Sequence, residues 1–286
     1  MSETLVPILE RIAEALERAY PKAPEAVDFS AIAFRWEYLR QGAGVYPALV
    51  AVKHPKLIGF DELKNLERQA TLIRRNTAQF VAGKPANHVL LTGSRGTGKS
   101  SLVKACLAEF HAQGLRLVEL DRAHLADLPQ LIEQLSERPE RFIIFCDDLS
   151  FDEGDSAYKG LKSALDGSVS GPGENVLIYA TSNRRHLMMQ RTEDNLSVSR
   201  DESGEIHPGE SVEEKVSLSE RFGLWIGFYP FNQEQYLEAV AHWLKVYANE
   251  PLTDQSQQAA INWATQRGSR SGRVAMQFAR DFAANR

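Results

Sequence analysis

The sequence predicts an α/β protein whose core is a parallel β-sheet with helices on both faces. Short apolar runs such as HVLLT, RFIIFCDD and NVLIYATSN alternate with helical stretches from about residue 56 to residue 230. Continuous apolar strands are typical of parallel sheets that are buried on both sides. From Asn232 onward the pattern becomes wholly helical, which predicts a small helical unit after the sheet.

The first 54 residues are predicted to form a helical N-terminal segment. Apolar residues recur at the spacing of one helix face, at Leu5, Ile8, Leu9, Ile12 and Leu16. Two prolines follow this helix, and a second helix is expected over the stretch FSAIAFRWEYL. The segment is interpreted as a cap that packs on the main domain, with a partner-docking arm as the alternative.

Residues 55–230 are expected to form the α/β domain and residues 231–286 a helical lid. Five strands are predicted, in the order HVLLT, LRLVELD, RFIIFCDD, NVLIYATSN and LWIGFYPF. The last two are separated by residues 184–218, a polar and acidic stretch that is too long for an ordinary connection. This stretch is expected to be either a functional loop or a disordered one.

Composition narrows the class of protein. The chain has 286 residues and a net charge of −5, which argues against a strongly basic nucleic-acid binder but leaves room for a local basic patch. Cys106 and Cys146 lie inside apolar runs, as in reduced cytosolic proteins without disulfides. The N-terminus does not resemble a signal peptide, and no stretch approaches the roughly 20 apolar residues of a membrane span. We therefore expect a soluble, cytoplasmic protein with no membrane partner.

The stretch GSRGTGKS carries the strongest functional signal in the chain. It matches G-x-x-x-x-G-K-[ST] between a strand and a helix, which is the context that this motif requires. Glycines let backbone N–H groups surround a phosphate chain, and the helix N-terminus adds partial positive charge. Lys99 is expected to reach the β- and γ-phosphates, and the Ser100 hydroxyl to hold Mg²⁺. The predicted phosphate-binding residues are Gly93, Ser94, Arg95, Gly96, Thr97, Gly98, Lys99, Ser100 and Ser101.

Polar side chains follow two other predicted strands. Asp147 and Asp148 end the run RFIIFCDD. Asp147 is predicted to hold Mg²⁺ through water, and Asp148 to orient or deprotonate an attacking water. Asn183 ends the run NVLIYATSN, at the edge of an open α/β sheet where ligands bind. We expect its amide to hydrogen-bond the γ-phosphate and the water, with a simple strand-ending turn as the alternative.

Together these motifs resemble those of a AAA+ ATPase. GSRGTGKS is similar to Walker A, FIIFCDD to Walker B and LIYATSN to sensor 1. The nearest resemblance is to a bacterial family of single-module AAA+ proteins with no assigned biological role, and it covers about residues 55–284. It implies a P-loop sheet of order 5-1-4-3-2, a helical lid, and ATP with Mg²⁺ bound between them. It also implies nucleotide-dependent homo-oligomers, such as hexamers, in which one subunit completes its neighbour's site.

The resemblance suggests further site residues. Arg221, in LSERFGLWIGFYP, corresponds to an arginine finger; the alternative is that it pairs with a local acid such as Glu220 or stays solvated. Arg270 or Arg273, in RGSRSGRVA, corresponds to sensor 2, and Arg273 is favoured because SGR opens a helical pattern. Ile58 and Gly59, in KLIGFDEL, match the segment that usually lines the adenine pocket.

One departure from the family pattern affects the expected rate. Asp148 stands where most AAA+ enzymes carry glutamate, and the shorter acid lowers the expected turnover. The first hypothesis is an ATPase that remodels a protein or nucleic-acid partner. The second is a slow-hydrolysing switch or loader of the initiator or helicase-loader type. A small-molecule kinase is a third, but no acceptor pocket is recognisable.

Overall fold

The computed structural model describes residues 5–19, 27–41, 44–151, 156–166, 174–183, 199–200, 206–207 and 218–285. Its strands are β1 (Ala33–Gln41), β2 (Gly44–Ala51), β3 (Val89–Gly93), β4 (Leu115–Leu120), β5 (Arg141–Cys146), β6 (Val176–Ser182), β7 (Ser199–Arg200), β8 (Ile206–His207) and β9 (Leu224–Phe228). Its α-helices are α1 (Leu5–Ala19), α2 (Glu67–Val81), α3 (Lys99–Phe110), α4 (Leu128–Ser136), α5 (Ser156–Asp166), α6 (Gln233–Ala248), α7 (Asp254–Gln266) and α8 (Gly272–Ala284).

Seven strands form one sheet, in the order β2-β1-β4-β5-β6-β3-β9. Five neighbouring strands of this sheet, β4, β5, β6, β3 and β9, are mutually parallel. Counted from β3 as the first predicted strand, their order is 5-1-4-3-2, so the predicted fold class is confirmed. Buried side chains form a separate apolar cluster on each face of the sheet, where the helices pack.

The predicted helix over FSAIAFRWEYL is wrong, because this stretch contributes β1 to the sheet. Phe34 and Trp36 are buried, whereas Arg35 is exposed and Glu37 is only partly covered. This is the period-two alternation of a strand. β1 pairs in parallel with β4, and β2 returns antiparallel to β1, so two strands extend the predicted five-stranded sheet.

The N-terminal helix α1 forms where the apolar spacing predicts a helix. Its apolar stripe is exposed, and the described part of the chain offers it no packing partner that covers it. Exposed fractions of 49–55% are found for Val6, Ile8, Leu9, Ile12 and Leu16.

The stretch over residues 184–218 lies almost wholly outside the described residues. Within it, β7 and β8 pair as a short antiparallel ladder. None of the helices that the structure describes is both long and apolar enough to span a bilayer.

His88, just before β3, connects the first predicted strand to β6. Its Nδ1 accepts the Ile178 backbone N–H at 3.0 Å, and its carbonyl accepts the Leu224 N–H at 3.2 Å. Nδ1 must therefore be unprotonated in the folded protein. Burial lowers the pKa of His88 from 6.5 to about 4.

Acidification should therefore destabilise the fold. As pH falls through 6.5 the unfolded chain protonates His88 first, and the lost stability reaches about 3 kcal/mol near pH 4. Urea unfolding at several pH values between 4 and 7 measures this loss. In the variant His88→Asn, an amide oxygen can replace the acceptor without titrating, so its stability should depend less on pH. Identical pH profiles for the two proteins would contradict the assignment.

Candidate nucleotide-binding site

A cavity of about 440 Å³ lies at the carboxyl ends of the central strands, between the sheet and the C-terminal helices α6–α8, which are called the lid below. This volume is within the usual range for small-molecule sites. The lining contains most of the site residues predicted from the sequence, namely Ile58, Arg95, Gly96, Thr97, Gly98, Lys99, Ser100, Ser101, Asp147, Asp148, Asn183 and Arg273.

The glycines of the phosphate loop are required by its backbone and by close neighbours. Gly93 has φ 123°, and a Cβ there would lie 1.9 Å from the Phe228 carbonyl oxygen. Gly96 has φ 76°, and a Cβ there would lie 2.8 Å from the Ser271 hydroxyl. Because both angles are in the left-handed region, only glycine fits without strain.

The Lys99 side chain is buried and hydrogen-bonds to the phosphate loop and to the residue that follows β6. Its Nζ donates to the carbonyls of Gly93 at 2.7 Å and Ser94 at 2.8 Å, and to Asn183 Oδ1 at 3.0 Å. Desolvation lowers the pKa of Lys99, although Asp147 and Asp148 oppose this. These three acceptors hold the buried ammonium group at the phosphate loop. A phosphate oxygen bound in the loop could form a charge-assisted hydrogen bond with the same ammonium group.

Ser100 and Asp147 form an oxygen pair at the phosphate loop. Ser100 Oγ donates to Asp147 Oδ1 at 2.8 Å. Hydroxyl and carboxylate oxygens are ligands that Mg²⁺ prefers, and it usually takes one or two carboxylates together with substrate phosphates. In the part of the chain that the structure describes, no group of three or more His, Cys, Asp or Glu could hold a metal. The Ser100–Asp147 pair fits a magnesium ion that is bound together with phosphates.

Asp148 has an unusual backbone conformation. Its φ is 52°, a left-handed value that aspartate and asparagine adopt more readily than most side chains. Its carboxylate accepts a hydrogen bond from Asn183 Nδ2 and lies 3.8 Å from the Arg95 guanidinium. The left-handed backbone gives a physical reason for aspartate where the family pattern has glutamate.

The two lid arginines are placed differently. Arg273 lines the main cavity, and its backbone N–H donates to the Gly96 carbonyl at 3.1 Å. Arg270 lines a neighbouring cavity of about 610 Å³, which shares Arg95, Thr97 and Phe231 with the main cavity. The structure therefore brings Arg273, and not Arg270, to the main cavity.

Four other predicted residues do not line this cavity, namely Gly59, Gly93, Ser94 and Arg221. The Gly59 N–H donates to Glu62 Oε1 at 2.7 Å, while its neighbour Ile58 does line the cavity. Arg221 is 24% exposed, and its Nε donates to Asp166 at the end of α5. Arg221 therefore forms an ion pair within its own chain, but its partner lies 55 residues away in sequence and is not a neighbouring acid such as Glu220.

The sequence did not identify the apolar part of the cavity, nor its polar lining residues Glu62, Lys64 and Thr181. Thr181 contacts both aspartates, and its place at the end of a buried strand was the signal that could have identified it. Ala239 and Trp243, four residues apart on one face of α6, show that this helix presents a side to the cavity. The remaining apolar lining consists of Leu63, Leu66, Phe231 and Met276.

Comparison with solved structures shows that the fold is similar to that of RuvB and ORC1 proteins. The Thermotoga maritima RuvB A156S mutant has a TM-score of 0.52 and 17% identity, covering 79% of this chain and 66% of that one. The Aeropyrum pernix ORC1 protein, solved in complex with DNA, has a TM-score of 0.53 and 16% identity, with coverages of 78% and 60%. The chain thus spans less than two thirds of the length of these structures, and at such identities the likeness establishes the fold alone.

A comparison with curated proteins found no match. A family model described as "Protein of unknown function (DUF815)" matches residues 30–286, which include the whole sheet, the phosphate loop and the lid. The chain has the AAA+ fold and belongs to the DUF815 family.

Proposed function

We propose that this protein binds ATP with Mg²⁺ in the 440 Å³ cavity and hydrolyses it at an interface between subunits of a homo-oligomer, so as to remodel a macromolecular partner. The observation that carries the proposal is the meeting of Lys99, the Ser100–Asp147 pair, Asp148 and Asn183 at one end of that cavity. The apolar lining around Trp243, at the lid side of the cavity, would accommodate the base.

The residues of the chain would share the work as follows. Lys99 would exchange its bonds to the loop carbonyls for phosphate oxygens, which keeps the buried ammonium paired. Ser100 and Asp147 would hold magnesium, which when bound neutralises phosphate charge. Asp148 would orient the attacking water or accept its proton, and Asn183 would hold the carboxylate in place.

A slow-hydrolysing switch or loader is the second candidate, and the state of Asp148 favours it. The carboxylate already accepts from Asn183 and lies near Arg95, so fewer of its acceptor sites are free for the attacking water. ATP binding without appreciable turnover would support this candidate over the remodelling ATPase.

The lid favours a protein partner over nucleic acid. Arg267 lies 3.5 Å from the centre of the Trp263 ring, and Arg280 donates to the Tyr247 hydroxyl at 2.9 Å. These C-terminal arginines are thus engaged with lid aromatics, and the net charge is −5. One similar structure contains DNA, but that similarity concerns the fold and not the ligand. Because the C-terminal arginines are engaged within the lid, the client that we propose is a protein.

The proposal is tested with Asp148→Asn. Asparagine tolerates the left-handed backbone, so only the charge is removed. We expect ATP affinity to stay within a few-fold and phosphate release to fall about 100-fold or more, since general base catalysis contributes about 10²–10⁴-fold. Calorimetric titration with ATP and single-turnover phosphate release measure the two quantities. Failure of the wild-type protein to bind ATP would end the proposal, whereas equal turnover in both proteins would remove Asp148 from the chemistry.

A further inference from the structure

We propose that Thr181 is a positioning residue that holds the side chain of Asp147 and the backbone of Asp148, an inference that rests on the proposed function. Thr181 lies near the end of β6 and is 1% exposed. Its hydroxyl donates to Asp147 Oδ1 at 2.5 Å and accepts the Asp148 backbone N–H at 2.8 Å. A hydroxyl has one hydrogen to donate and two lone pairs to accept with. Thr181 therefore donates its hydrogen to the Asp147 carboxylate and accepts the Asp148 backbone N–H with a lone pair.

Hydrogen bonds around Thr181 continue to join the ends of β5 and β6 after their regular strand pairing stops. The pairing of β5 with β6 ends at Cys146 and Ala180. Beyond it, the Leu149 N–H donates to the Thr181 carbonyl at 2.7 Å, and Ser182 Oγ donates to the Leu149 carbonyl at 2.8 Å. These bonds tie the chain after β5 to the end of β6.

The hydroxyl is needed because Asp148 leaves the strand conformation. At φ 52° its N–H cannot continue the parallel ladder, and Thr181 Oγ1 takes the place of a backbone acceptor. Loss of this acceptor would leave the amide without its partner in a strained conformation, which is unfavourable. Thr181 therefore supports the backbone on which the Asp148 carboxylate depends.

The same hydroxyl sets the orientation of Asp147. Ser100 and Thr181 both donate to Oδ1, at 2.8 Å and 2.5 Å. Oδ2 then has no donor among the residues that the structure describes, which keeps one oxygen of Asp147 available. Partners of this kind typically change metal affinity 10–100-fold when they are removed.

The experiment compares Thr181→Val, which keeps the shape but removes the hydroxyl, with Thr181→Ser, which keeps the hydroxyl. Binding of a fluorescent ATP analogue is measured without Mg²⁺ and over a Mg²⁺ titration. We expect Thr181→Val to bind the analogue normally without Mg²⁺, but to need about 10-fold more Mg²⁺ for the half-maximal effect. Thr181→Ser should stay within about twofold of the wild type, because both hydrogen bonds remain.

Thr77→Val is the matched control for loss of a buried hydroxyl. Thr77 is fully buried, and its Oγ1 donates to the Ile73 carbonyl at 2.8 Å, away from the carboxylates. The Thr77→Val variant should have lower thermal stability but the same Mg²⁺ concentration for the half-maximal effect as the wild type. If Thr181→Val does not fold, Thr181→Ala gives the same comparison with a smaller side chain.

The outcomes separate this inference from the proposed function. An unchanged Mg²⁺ midpoint in a folded, analogue-binding Thr181→Val overturns the positioning role alone. Equal shifts in the valine and serine variants also overturn it, because the hydroxyl would then be irrelevant. A wild-type protein that does not bind the analogue at any Mg²⁺ concentration overturns the proposed function itself.

Discussion

Lys99→Ala should abolish measurable ATP turnover and weaken ATP binding by at least about 100-fold, equivalent to about 2.7 kcal/mol. The ammonium is buried at the phosphate loop, with Gly93, Ser94 and Asn183 as its acceptors. Charge-assisted hydrogen bonds of this kind are about twice as strong as neutral ones, and alanine supplies no replacement. Calorimetric titration with Mg²⁺-ATP and steady-state phosphate release measure the two losses.

Lys104→Ala is the control for loss of a lysine from the same helix. Lys104 is partly exposed on α3, and it does not line the cavity. It should bind and hydrolyse ATP as the wild type does. Normal affinity in Lys99→Ala, or equal losses in both variants, would contradict the assignment of Lys99 to the phosphates.

Arg221→Ala should reduce turnover about 10³-fold or more while leaving ATP binding nearly unchanged, if Arg221 completes the site of a neighbouring subunit. Arg221 does not line the cavity of its own chain and pairs with Asp166 at the domain surface. The specific rate of the wild type should also rise with protein concentration, because assembly creates the complete site.

Mixing two inactive variants gives the sharper test of sharing. Lys99→Ala subunits keep Arg221, and Arg221→Ala subunits keep Lys99. In a head-to-tail assembly with random mixing, roughly a quarter of the sites would combine both intact residues and recover activity. An inactive mixture whose subunits are shown to co-assemble would place Arg221 outside the chemistry.

Asp166→Asn separates a catalytic role of Arg221 from a purely structural one. If Arg221 serves only its ion pair with Asp166, removing either charge should lower stability and turnover alike. If Arg221 acts on a neighbour, Asp166→Asn should retain turnover. Thermal unfolding and phosphate release, measured on the same preparations, distinguish these results.

The central fold was predictable because its signals are local. Each of the five parallel strands is a short apolar run, and the phosphate loop fixes the place of β3. The strand order came from the family resemblance, since no pattern in a single strand specifies its neighbours. The hairpin of β1 and β2 was missed, although buried Phe34 and Trp36 alternate with more exposed Arg35 and Glu37. That alternation is a strand signal, but it is short and follows a helical N-terminus, which favours a helix on sequence alone.

The finer geometry of the site was not predictable from the sequence. The contact of Thr181 with both aspartates depends on how β5 and β6 end relative to each other, and the ion pair of Arg221 joins residues 55 positions apart. Spacing along the chain carries no information on such distances. The choice between Arg270 and Arg273 was likewise open in the sequence, because both flank the start of α8.

The hydrogen bond from the Arg273 backbone N–H to the Gly96 carbonyl links the phosphate loop directly to the first turn of α8. α8 has 13 residues and is therefore about 20 Å long. A tilt of about 5° at its base would displace its far end by nearly 2 Å, given the 1.5 Å rise per residue of a helix. We therefore expect that a small rearrangement of the loop would displace the far end of α8 by more than its base.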